Sequence, residues 1–236
     1  MEEKSVEKEI KKDFKSKLID ILIIIVIVLV GLFMYAKYLE SKTLVIKETR
    51  LVENEIPLSY SGVKLVFFSD LLLGSSVTID ELDNVVNKIK ELKPDILIYG
   101  GNLIYKEIDD KEKVISLLSG IETSIGKYYV TGSLDKDESI EILDKSGFTK
   151  LDNNYELLYY KDVTPICLYG VSSYILGNYK LLDMSNCKGY YTIFVSHEPD
   201  VVNKLSNEEA NLVLSGNTLG GEVNLPLLSK KYDGST

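Results

Sequence analysis

Apolar positions fall into two regimes along this chain: one long unbroken run near the N-terminus, then short clusters separated by polar and glycine-containing turns. Residues 21–36 (ILIIIVIVLVGLFMYA) carry no charge, and Leu18 and Ile19 extend the run across Asp20. As an α-helix, residues 18–36 reach roughly 28 Å, close to the ~30 Å hydrocarbon core of a bilayer. A strand of this length is out of scale, and no polar stripe is left to face water. A cleaved signal peptide fits less well, because the run exceeds the usual apolar stretch and Met34-Tyr35-Ala36 is a poor small-x-small cleavage site. The pattern predicts an uncleaved transmembrane helix over residues 18–36, with Asp20 at the headgroup boundary.

Beyond residue 60 short apolar strands alternate with amphipathic helices, which predicts a layered α/β domain. Residues 63–68 (VKLVFF) read as a strand. The next helix carries Leu82, Val85, Val86, Ile89 and Leu92 on one face, and Thr78 with Glu81 offers a capping box at its start. Pro94 resets the chain into a strand at residues 96–99. A helix around residues 114–118, a strand at 128–130 and a helix at 138–145 closed by Gly147 continue the rhythm. Later segments read as strands at 155–160, 166–171, 190–195 and 212–214. The predicted organisation is a lysine-rich cytoplasmic tail (1–17), the span (18–36), a juxtamembrane segment (37–60) and one folded domain (61–236).

Charge sets an orientation. Lys4, Lys8, Lys11, Lys12, Lys15 and Lys17 precede the apolar run, whereas Lys37, Lys42, Lys47 and Arg50 follow it closely. The positive-inside bias then predicts a single-pass protein of the cell membrane, with its N-terminus cytoplasmic and its folded domain extracytoplasmic. Residues 1–20 hold as many acids as lysines, so the net charge of −9 belongs wholly to the remainder. An acidic surface repels phosphate backbones and argues against a nucleic-acid partner. Cys167 and Cys187 are too few for a disulfide scaffold or a cysteine-rich zinc site, and spacing alone leaves their pairing open. Tyrosine is abundant (16) and tryptophan absent, and the pairs Tyr128-Tyr129, Tyr159-Tyr160 and Tyr190-Tyr191 suit sheet packing better than base stacking.

Five predicted strands run directly into small or polar residues: Ser69-Asp70, Gly100-Gly101-Asn102, Gly132-Ser133, Ser196-His197 and Ser215-Gly216-Asn217. Carboxyl ends of strands gather at one edge of such sheets, so these five loops are expected to converge. Gly220-Gly221 reads as a tight turn rather than a phosphate cradle, because the strand-like Glu222-Val223-Asn224 follows it where a cradle needs a helix start.

The strings SDLLLG (69–74), KPDILIYGGNL (93–103), SHEPD (196–200) and LVLSGNTLGGEVNLP (212–226) together resemble the calcineurin-like metallophosphoesterases, especially their small membrane-anchored or exported bacterial branch. The resemblance covers about residues 63–226. It implies a layered β-sandwich flanked by helices, with a two-metal centre that hydrolyses phosphate esters. In that family the first motif is Asp-x-His; this chain has Asp70 but Leu72. The bridging Gly-Asp becomes Gly101-Asn102, and Gly-Asn-His-Asp becomes Gly132-Ser133-Leu134-Asp135. The final Gly-His-Thr-His becomes Gly216-Asn217-Thr218-Leu219, which leaves His197 as the chain's only imidazole. The remnant metal positions implied by the resemblance are Asp70, Asn102, Ser133, His197 and Asn217, and no catalytic residue is assigned.

Two divalent cations require several good donors and compensating negative charge, and Asp70 is the only anionic ligand left. Loss of groups that merely orient ligands costs roughly 10- to 100-fold in metal affinity, so replacing ligands themselves by leucine costs far more. No metal cofactor is therefore expected, and no hydroxide generator or phosphoryl clamp with it. His197, Asn102, Ser133 and Asn217 are read as a hydrogen-bonded structural group, with a site for one weakly bound ion or a small polar ligand as the alternative. Asp70 is expected to pair with His197 or accept N–H groups of its own loop, and Asp135 to be solvated or to cap the next helix. The functional expectation is a catalytically degenerate phosphoesterase domain, a pseudoenzyme that binds a protein or ligand, including as a subunit of a membrane complex. The alternative is a residual phosphoesterase using Mn, Fe or Zn on a phosphate ester near the membrane. The resembled family continues past its Gly-Gly-x-Val motif with strands that complete the second sheet. Either the chain is shortened or those strands are gone; if gone, a strand near residues 223–225 offers an open edge to a protein partner.

Overall fold

The computed structural model describes residues 17, 19–34, 44–75, 77–181, 184–205 and 210–218. The chain divides into two units, Met1–Thr49 with Leu225–Thr236, and Arg50–Asn224. In the first unit residues 19–34 form a helix, α1, whose apolar side chains are all exposed. Among the described residues no helix is long and apolar enough to cross a membrane. The expected span at 18–36 coincides with α1 except at Leu18, Tyr35 and Ala36, which lie outside the described residues, as does the tail at 1–16.

The second unit begins without regular structure, passes through a 3-10 turn at Leu58–Tyr60, and then alternates β1 (Leu65–Phe68), α2 (Ile79–Leu92), β2 (Ile96–Tyr99), α3 (Lys111–Ser119), β3 (Gly126–Tyr129), α4 (Asp137–Lys145) and β4 (Thr149–Lys150). The capping box at α2 is present: Thr78 Oγ accepts the Glu81 N–H at 3.2 Å and the Glu81 carboxylate accepts the Thr78 N–H at 2.9 Å. Lys93 ends the helix in a left-handed conformation, just before Pro94, which cannot continue it. Strands β1 to β4 form one parallel sheet in chain order, with α2, α3 and α4 supplying one apolar layer.

A second sheet follows, β5 (Asn154–Leu158), β6 (Ile166–Gly170), β7 (Thr192–Ser196) and β8 (Leu212–Ser215), again in chain order. Among the described residues only β5 and β6 pair antiparallel. The core between the sheets takes Ile96, Ile98, Tyr128 and Val130 from one side and Ile166, Leu168, Ile193 and Val195 from the other. Leu97 and Tyr99 point instead into the helical layer, so alternate residues of β2 serve different cores and the whole strand is buried. On the outer face of the second sheet Tyr169 stacks on Phe194 at 5.6 Å, beside Val171 and Val201. Thus an α/β architecture of two sheets with helices stands, as the pattern predicts, whereas residues 219–236, on which the expected lack of further strands turns, lie outside the described residues.

The cysteines settle what spacing left open. Cys167 in β6 forms a disulfide with Cys187 in the 3-10 turn Met184–Cys187, closing the excursion between β6 and β7. Burial pushes the Tyr128 and Tyr191 phenols up to about 12, and in both cases solvent exclusion by the surrounding core is the main cause.

Candidate functional site

The carboxyl ends of β1, β2, β3, β7 and β8 converge through hydrogen bonds, as their loop chemistry predicts. The Asp70 N–H donates to the Gly101 carbonyl at 2.9 Å, and Gly216 N–H donates to the His197 carbonyl at 2.9 Å. Close approach requires the glycines here. A Cβ on Gly101 would lie 2.5 Å from the Gly132 nitrogen, and one on Gly132 would collide with the Asn102 side-chain oxygen. Asp70, Leu72, Asn102 and Asn217 all adopt positive φ, between 48° and 63°. Such backbone costs a residue like leucine roughly 1–2 kcal/mol; the loop geometry persists at Leu72 although its side chain offers no donor.

Asp70 is nearly buried, at 5% side-chain exposure. Its Oδ2 accepts the Ser69 hydroxyl at 2.7 Å and the Asn217 N–H at 2.8 Å, while Oδ1 accepts the Asn102 amide at 3.1 Å. Of the two roles expected for it, N–H acceptance prevails, although the donor comes from the loop after β8 rather than its own. His197 Nε2 stands 3.7 Å away, beyond hydrogen-bond range.

His197 is fully buried. Its Nδ1 lies 2.6 Å from the Gly100 carbonyl, which can only accept, so Nδ1 carries the proton. Nε2 then presents its lone pair and accepts the Asn102 amide at 2.7 Å. Asn102 donates both amide hydrogens, one to Asp70 and one to His197, and its Oδ1 accepts the Leu134 N–H at 3.0 Å. The orientation of this amide is therefore fixed from both ends.

Four of the five remnant positions meet in this network: Asp70, Asn102, His197 and Asn217, the last through its backbone. Ser133 is half-buried in the loop after β3, but that loop joins the cluster through Gly132, Leu134 and Asp135. Leu219, the Gly220-Gly221 turn and the strand expected near 223–225 lie outside the described residues.

Two carboxylates do more than their sequence positions suggest. Asp135 neither faces solvent freely nor caps α4, whose N-cap Lys136 makes no side-chain cap bond. It accepts the N–H groups of Asn102 at 2.7 Å, Leu103 at 2.8 Å and Gly132 at 2.9 Å, because these loop amides have no sheet partner to bond. Glu198, 1% exposed, accepts the Ser173 hydroxyl and the Tyr174 N–H, both at 2.7 Å, and so holds the loop after β6. Its signal in the sequence was adjacency to His197. Nearby, burial and then the charges of Asp135 and Asp70 drive the Tyr99 phenol well above its ordinary range.

Among the described residues no group of three or more His, Cys, Asp or Glu side chains is placed to hold a metal ion. Among the described residues the donors at the converging edge are the Asp70 carboxylate, the His197 imidazole and amides, the Asp135 carboxylate being taken up by three backbone N–H groups, and the amide group nearest both Asp70 and His197 turns its hydrogens toward them. A pair of divalent cations does not fit this donor set.

A helix-backed parallel sheet facing a mixed sheet, with strand ends converging on Asp70, Asn102 and His197, is compatible with a metallophosphoesterase-type domain. No protein-family model matches the chain. Individual proteins do. The uncharacterized metallophosphoesterase YkuE of Bacillus subtilis is 31% identical over 205 residues, which is 83% of this chain and 72% of that protein. A transmembrane protein with metallophosphoesterase domain from Danio rerio is 24% identical over 75% of this chain and 45% of its own length. The uncharacterized metallophosphoesterase Cj0846 of Campylobacter jejuni is 28% identical, over 78% of this chain and 51% of that protein. The chain thus spans about half the length of the latter two. It belongs to the calcineurin-like metallophosphoesterase family.

Proposed function

We propose that this chain is a membrane-anchored, catalytically degenerate member of the family that acts by binding a protein or ligand outside the cell membrane. One observation carries the reading: Asn102 occupies the family's bridging-carboxylate position and turns its NH2 group to both Asp70 and His197. Without a metal pair the edge has no source of hydroxide near neutral pH and nothing to neutralise a phosphoryl group. Leu134, where the resembled motif has histidine, cannot protonate a leaving group.

The anchor is supported by the charge-free run at 21–36 and by the exposure of every apolar side chain of α1. The name of the Danio rerio relative, a transmembrane protein, is in keeping with it. The Cys167–Cys187 disulfide favours an oxidising, extracytoplasmic setting for the folded unit. The rival reading, residual hydrolysis of a phosphate ester near the membrane, draws on the names of the relatives. The experiment is turnover of a generic aryl phosphodiester by the full chain in mild detergent with added Mn2+. The degenerate reading requires no turnover above buffer; hydrolysis that Asp70→Ala abolishes supports the rival.

A further inference from the structure

We infer that the Asn102 carboxamide, locked in orientation by the Leu134 N–H, replaces a cation as the link between Asp70 and His197, so that a divalent ion enters this position only when residue 102 is made a carboxylate. The inference rests on the degenerate reading above and adds what takes the ion's place. Asp70 Oδ1, Asn102 Nδ2 and His197 Nε2 form a triangle with sides of 3.1, 2.7 and 3.7 Å. Donors bound to one divalent ion at about 2.0–2.2 Å stand roughly 3–3.5 Å apart. Only the 3.1 Å side lies in that range; the 2.7 and 3.7 Å sides fall on either side of it, so the three atoms stand near ligand spacing but are drawn to hydrogen-bond distances about Asn102, whose corner is a hydrogen-bond donor. The positive ends of the amide N–H bonds face Asp70 Oδ1 and the lone pair of His197 Nε2, which is the electrostatic work a cation would do there.

The lock comes from outside the triangle. For Asn102 to offer oxygen to an ion, its amide must rotate by half a turn, which would set NH2 against the Leu134 N–H, donor against donor, in place of the present 3.0 Å bond. His197 has no freedom to compensate, being fully buried with Nδ1 committed to the Gly100 carbonyl. A carboxylate at 102 behaves differently. One oxygen keeps the Leu134 N–H, and the other faces Asp70 and the His197 lone pair, which completes a three-donor face and creates repulsion unless an ion fills it. Asn102 sits at φ 63°, a conformation that aspartate tolerates, so Asn102→Asp changes the charge without changing the backbone demand.

The test uses the full chain in detergent, as wild type, Asn102→Asp and Asn102→Gly, with thermal unfolding followed in EDTA and in Mn2+ and bound Mn2+ measured after dialysis. The wild type is expected to melt at the same temperature in both and to retain no Mn2+. Asn102→Asp is expected to melt lower than wild type in EDTA, to recover in Mn2+, and to retain one ion per chain, which His197→Ala in the same background removes. Asn102→Gly, which suits the positive φ and deletes the amide, is expected to melt lower than wild type even if Asn102→Asp does not fold. A wild type stabilised by stoichiometric Mn2+ overturns the inference, as does a folded Asn102→Asp that binds no more metal than wild type, or an Asn102→Gly as stable as wild type. A wild type that hydrolyses phosphodiesters contradicts the degenerate reading itself, whereas a metal-indifferent Asn102→Asp leaves that reading intact.

Discussion

The Asp135 carboxylate accepts the Asn102 N–H at 2.7 Å and thereby ties the loop after β3 to the loop after β2. The same group takes up the N–H of Leu103 and of Gly132. Replacing Asp135 with alanine leaves three loop amides without their acceptor, at a cost of roughly 1–3 kcal/mol for each that stays buried and dry. The expected outcome is a loss of at least about 2 kcal/mol in chemical denaturation of Asp135→Ala. A change within error would show that the carboxylate does not organise these loops.

Glu198 makes a narrower claim. Its two oxygens hold Ser173 and Tyr174, so Glu198→Ala should loosen the loop after β6 while β6 and β7 stay paired. Hydrogen exchange at the amides of residues 172–176 should accelerate in the variant, with the amides of 193–195 little changed. Equal acceleration in both segments would assign Glu198 a global role instead.

The Cys167–Cys187 bond closes a loop with a sequence separation of 20. Loop-closure entropy for that length corresponds to about 3 kcal/mol of stabilisation. Reduction, or Cys167→Ser with Cys187→Ser, should lower the unfolding midpoint by a matching amount. An unchanged midpoint under reducing conditions would mean that the bridge adds nothing to the native state.

Alkaline unfolding follows from the buried phenols. Tyr128 and Tyr191 titrate near 12 when folded and near 10 when unfolded, so the folded state holds their protons more tightly. Their contribution is intact below pH 10 and is lost as pH rises from 10 to 12. Circular dichroism should show stability falling steeply over that interval, and Tyr128→Phe should flatten the fall. A stability profile level across pH 10 to 12 would contradict this.

Strand β2 was legible because all four of its residues are apolar and both of its faces are buried. The start of α2 was legible because the capping box is local, contained in four residues. By contrast β4 was not anticipated: Thr149 and Lys150 are exposed, and only the pairing with Tyr128 and Tyr129 makes them a strand. At the candidate site, sequence order brought the right loops together, since strand ends and their polar residues can be read directly. The direction of the Asn102 amide could not be read, because it depends on a backbone N–H 32 residues away. Asp135 was misread for the same reason, as its three partners are N–H groups that any residue at those positions would supply. Anionic residues near glycine-rich turns are thus poorly assigned from sequence when their acceptors' work is done on backbone.

The central claim is that this member of the family lacks the metal pair its fold was built around. The most direct measurement is the divalent metal content of the full chain, purified in mild detergent without chelator and analysed by elemental mass spectrometry. The account predicts no stoichiometric Mn, Fe or Zn in the wild type. Two equivalents of bound metal, lost on Asp70→Ala, would contradict it.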